Sequence, residues 1–222
     1  MTSTWFRPLP WLLATVLTLA PPSAAMETPL SDTAVREAYF LGQRRNETMV
    51  RFLERYTKQL PGPKSGPHIA SVTLFTPFAQ VVLLSRNNSS GYSAQQAGID
   101  HRGQAESIQV LVDIDFTASY GAIISQPASS RSGTSTGYVL RAPDFWKDFE
   151  VRLFDGDKPL RAFASSGRPK WSCGAEGGCG LVGATLTFKF WAADLQADSV
   201  TVVVDPPEGK AVAVDFDLTT LR

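Results

Sequence analysis

The sequence predicts a mainly β protein: an antiparallel sandwich of short strands preceded by an N-terminal pair of amphipathic helices. Three observations carry that prediction. Short runs of period-two alternation recur between residues 64 and 222, with turn-forming residues and no helical pattern between them. A seven-residue recurrence of core positions marks the stretch 32–59 instead. The chain of 222 residues is 43% hydrophobic and 19% charged, which is enough for a real core and too apolar for disorder.

The clearest strands lie in the last third. Leu186, Phe188 and Phe190 alternate with Thr187 and Lys189; Val200, Val202 and Val204 alternate with Thr201 and Val203; Val212, Val214 and Phe216 alternate with Ala213 and Asp215. Successive side chains point to opposite faces of a strand, so each run has one face to bury. Asp205-Pro206-Pro207-Glu208-Gly209-Lys210 is a turn that brings the last two strands back antiparallel. A sheet with one apolar face needs a second layer, which the preceding chain must supply.

Upstream, Ser31 and Asp32 offer N-cap oxygens to a helix over 32–44. Val35, Gly42, Met49 and Tyr56 continue the apolar stripe into a second helix over 47–59, with a break at Arg45-Asn46. Pro61-Gly62-Pro63 ends it. Strands are expected at 69–75, at 78–85 after the interruption by Pro77, and at 108–116, where Ile108, Val110, Val112, Ile114 and Phe116 alternate. A strand at 149–153 turns through Asp155-Gly156-Asp157-Lys158 into 160–163. Stretches 86–105, 125–137 and 164–183 are rich in polar residues and glycine and are expected to be loops. In this pattern the chain resembles immunoglobulin-like and fibronectin-type sandwiches. Its cysteine spacing departs from the inter-sheet pair of antibody domains.

The organisation expected is a secretory signal over 1–25, a helical segment over 26–63 and the sandwich over 64–222. Arg7 is the only charged side chain among the first 26 residues; an uncharged run over 11–20 follows, then Pro21-Pro22 and the small residues Ser23-Ala24-Ala25. That layout predicts export with cleavage after Ala25, to the periplasm or the cell exterior, leaving no stable membrane span. Cys173 and Cys179 are expected to form a disulfide in such a compartment.

The chemistry in the sequence is sparse. Basic and acidic side chains balance at 21 each without a basic stripe, which argues against a nucleic-acid partner. Gly133-Thr134-Ser135-Thr136-Gly137 fits the nucleophile-elbow pattern, but it sits in a polar loop leading into a strand, where the strained strand-to-helix turn is missing. The pairs Asp113/Asp115 and Asp215/Asp217 alternate with core residues and belong on solvent faces. No catalytic residue, metal site or cofactor is therefore expected. Candidate ligand-binding residues are Trp146, Trp171, Trp191 and the loop residue His101. Tryptophans of this kind either plug the ends of a core or stack on sugars. The function expected is a non-catalytic module binding a protein partner; the alternatives are a carbohydrate-binding module and, far behind, a serine hydrolase.

Overall fold

The computed structural model describes residues 26–44, 46–88, 91–128, 135–175 and 177–222. The expected signal segment, residues 1–25, lies outside the described residues.

The Ser31 hydroxyl accepts from the Ala34 backbone N at 3.2 Å and starts α1, Asp32–Gln43, which buries Ala34, Val35, Ala38 and Gly42. Helix α2, Glu47–Glu54, buries Met49. Asn46 occupies its N-cap position, but its side chain makes no capping bond. This helix is shorter than expected. Tyr56 turns inward, 1% exposed, and β1, Thr57–Gln59, leaves the helix to pair with β2, His68–Phe75. The Thr57 and Thr73 hydroxyls, 2.9 Å apart, fix that register. His68 supports the entry to β2 by meeting the Leu60 carbonyl at 3.0 Å.

The largest corrections to the sequence reading follow β2. Residues 78–85 are not a strand but the body of α3, Pro77–Asn87. Thr76 caps it by accepting from Ala79 N, and Pro77 fills its first turn, where a missing N–H costs nothing. The expected loop 86–105 contains α4, Ala94–Arg102, capped by Ser93. Helices are thus interleaved between strands, and four are present among the described residues.

The chain continues with β3, Ser107–Asp115; β4, Ile123–Ala128; and β5, Ser135–Leu140. A 3-10 turn, Phe145–Asp148, precedes β6, Glu150–Asp155, and β7, Lys158–Leu160. Then come β8, Ala164–Cys173; β9, Cys179–Trp191; β10, Ser199–Asp205; and β11, Val212–Asp217. The expected loop 164–183 is therefore most of a long hairpin, and 125–137 holds parts of two paired strands around residues 129–134, which lie outside the described residues.

Pairing is antiparallel throughout. One sheet has the order β1-β2-β3-β9-β8, a second β11-β10-β6-β7, and β4-β5 stands apart as a two-stranded hairpin. The chain crosses between sheets after Trp191, so β9 belongs to the first sheet while β10 and β11 belong to the second. Facing side chains of both sheets form one core: Val72, Val112 and Leu186 from the first, Leu153, Val202 and Phe216 from the second, each at most 1% exposed. Each such side chain contributes on the order of 2 kcal/mol gross. A smaller core of Val35, Ala38, Met49, Phe78, Val82 and Ala97 holds the helices together. They sit at the end of the sandwich where β2 leaves, β3 enters and β9 finishes. The C-terminus is tied there too: the Arg222 carbonyl accepts from the Tyr56 hydroxyl at 2.8 Å and from Thr76.

Cys173 and Cys179 are disulfide-bonded across the turn end of the β8–β9 hairpin, both exposed. Because the loop they close is short and outside the core, replacing both by serine is expected to cost about 2 kcal/mol or less, measured by denaturant unfolding without reductant. A larger loss would mean that the hairpin tip carries part of the core. No helix of the described residues is long and apolar enough to cross a membrane.

Candidate functional site

The outer face of β9 carries Lys189 and Trp191, because Phe188 and Phe190 on the alternate positions turn toward the core. Where this face runs under α3 and α4 it forms the floor of a cleft of about 330 Å³. Val81 and Leu84 of α3 make one wall; Ala97, Asp100 and His101 of α4, with the following turn through Glu106, make the other. Phe163, just before β8, closes the cleft by stacking on Trp191, with ring centroids 3.8 Å apart and planes within 13°. Both rings are 42% exposed.

Glu106 organises the polar end. Its carboxylate accepts from the Thr28 hydroxyl and the Leu30 backbone N, both at 2.6 Å, and lies 2.8 Å from His101 Nε2. The two side chains are only 11% and 14% exposed. His101 occupies the last turn of α4. Its ring therefore fastens α4 to the start of β3, and Glu106 fastens both to the segment before α1. Gln80 closes the floor by donating to the carbonyls of Phe75 at 3.2 Å and Ser107 at 2.6 Å. Beside α4, burial first and the Asp100 carboxylate second push the Tyr92 phenol up to about 12, so it stays neutral and cannot serve as a base near neutral pH.

Of the four candidate binding residues, His101 and Trp191 meet in this cleft. Trp146 does not join them. It lies in the 3-10 turn with its ring over Gly167 of β8, where an added Cβ would fall 2.1 Å from the indole, and it packs against the main core. Trp171 is 53% exposed far along β8, beside the disulfide. Glu106 and Phe163 have no distinguishing signal in the sequence; only the phase of the β9 alternation points Lys189 and Trp191 outward.

The remaining polar candidates are engaged structurally. Lys170 reaches across the outer sheet face to Asp115 at 2.5 Å and Asp113 at 3.0 Å. Burial alone would lower its pKa, but these bonds outweigh burial and raise it. Asp155 accepts from Gln196 N and Ala197 N, and Asp217 caps the final turn at Thr219 N. Among the described residues no group of three or more His, Cys, Asp or Glu could hold a metal. Gly133 and Thr134 of the serine motif lie outside the described residues; Ser135 begins β5, a strand rather than a helix.

A second surface is apolar. In the β4–β5 hairpin, Ile123 pairs with Leu140 and Ser125 with Tyr138, so these four share a face. Ile123 is 63%, Tyr138 73% and Leu140 79% exposed. The base of the hairpin is fixed: Arg141 donates from Nε to the Gly121 carbonyl at 2.9 Å, and its guanidinium lies 3.6 Å from the ring centroid of fully buried Tyr120. No family model matches this chain, and no curated protein matches it.

Proposed function

We propose that this chain is an exported, non-catalytic module with an immunoglobulin-like sandwich that binds a protein partner through the β4–β5 hairpin. The observation carrying this reading is an anchored hairpin that pairs with neither sheet and turns Ile123, Tyr138 and Leu140 to solvent. Apolar side chains exposed together in this way are a recognised mark of association surfaces. Such a hairpin also offers two free edges for strand addition.

The strand order supports the fold reading. With β2, β3, β6, β7, β8, β9, β10 and β11 taken as A, B, C, C′, D, E, F and G, the sheets read ABED and GFCC′, the immunoglobulin arrangement. The two helices α3 and α4 are then an insertion between A and B, and the hairpin an insertion between B and C. Insertions between framework strands are where recognition is commonly built. The disulfide and the uncharged N-terminal run support export. The non-catalytic reading is supported by His101 and Glu106, whose hydrogen bonds fasten the helices to the sheet and so act in support of the fold.

The double variant Tyr138→Asp with Leu140→Asp tests the proposal. Its unfolding free energy should stay within about 0.5 kcal/mol of the parent, because both side chains are exposed. In native envelope extract the parent should sediment as part of a larger species and the variant at its own size. Equal sedimentation of the two would remove the hairpin as the binding surface.

A further inference from the structure

We propose that the cleft between the α3/α4 helices and the outer face of β9 is a second binding site, for a neutral sugar ring of an oligosaccharide. It is separate from the hairpin and does not depend on it. The aromatic surface is the Phe163–Trp191 stack, two parallel rings that each cover one face of the other and stay partly exposed in the lining of the cleft. A pyranose presents a face of C–H bonds that packs on such a ring, each carrying a partial positive charge toward the negative π face.

The rim supplies what the hydroxyls need. Lys189, exposed in the cleft, makes no ion pair among the described residues and can donate. Asp100, whose Oδ1 accepts from Gln96 at 2.7 Å, brings a carboxylate acceptor to the rim, and the Gln104 amide offers both functions. Alternating donors and acceptors around an aromatic wall fit a hydroxyl-rich ring. The charge balance argues against phosphate or sulfate ligands. The ammonium of Lys189 shares the cleft with the Asp100 carboxylate and with Glu106, whose carboxylate is held by His101, so an added anion would gain little. The cleft volume, about 330 Å³, lies at the small end of the range for ligand sites and suits one or two rings of a longer chain.

Calorimetric titration of the exported protein with cellohexaose, chitohexaose and maltohexaose tests the site, with heparin and adenosine monophosphate as anionic probes. At least one neutral hexaose should bind at millimolar concentration. Trp191→Ala and Phe163→Ala should each weaken binding about tenfold or more. Trp171→Ala should leave binding unchanged, and circular dichroism should report the parental fold for all three. Failure of all three neutral sugars, binding that survives Trp191→Ala in folded protein, or binding of only the anionic probes would overturn the proposal.

Discussion

Phe190→Ala is expected to lower the free energy of unfolding by about 3–5 kcal/mol, the usual cost of emptying a buried phenylalanine site. Phe190 is 1% exposed, pairs with Ile108 of β3 and sits in the main core just where the helices cover the end of the sandwich. Its core cluster is closely packed and takes in Ala79 of α3, so the cavity has little freedom to collapse. The next residue of the same strand is exposed Trp191. Phe163→Ala removes only the outer stack and should cost less than about 1.5 kcal/mol. Urea unfolding of both variants, with unchanged slope, makes the comparison. A smaller loss for Phe190→Ala than for Phe163→Ala would mean that the two layers do not meet there.

A paired glycine experiment should give opposite signs. In a helix interior, glycine to alanine normally gains roughly 0.5–1 kcal/mol. Gly98 of α4 has room, since its nearest neighbour to an added Cβ is the flexible end of Arg102 at 3.6 Å, so Gly98→Ala should show that gain. Gly42 has none. An added Cβ would stand 2.3 Å from the Val82 carbonyl oxygen and 2.8 Å from Ser85 Cβ on α3. Relieving that clash pushes α1 off α3 and strains the bond from Gln43 Nε2 to the Ser85 carbonyl, now 2.6 Å. Gly42→Ala should therefore be net destabilising by about 1–3 kcal/mol. Thermal melts of the two variants decide the matter, and a gain at Gly42 would mean that α1 does not lie against α3.

The sequence reading succeeded where one face of an element is buried and the other is not. β3, β10 and β11 alternate because their outer faces carry polar residues such as Gln109, Asp113, Thr201 and Asp215, and the Ser31 cap with the stripe through Val35 and Gly42 marked α1. It failed where the burial pattern is blunt. Phe78, Ala79, Val81 and Val82 are all buried in α3, wedged between the helical core and the sheet end, and so short an apolar run satisfies both periods. Only Ala97 of α4 is buried, which leaves no stripe to detect. β8 is an edge strand with Ser, Gly, Arg and Pro at successive positions, held by its long register with β9 rather than by apolar alternation. The cleft was half legible: the phase of β9 sent Lys189 and Trp191 outward, but their companions Phe163 and Glu106 come from two other places and meet them only through the fold.

Photo-crosslinking in intact cells decides whether the β4–β5 hairpin meets a protein partner. A photoreactive phenylalanine analogue replaces Tyr138 on the hairpin in one protein and Thr187, on the outer face of β9, in another. A discrete protein adduct is expected from position 138 and none from position 187. Adducts from position 187 alone, or from neither position, would contradict the hairpin's role as the binding surface.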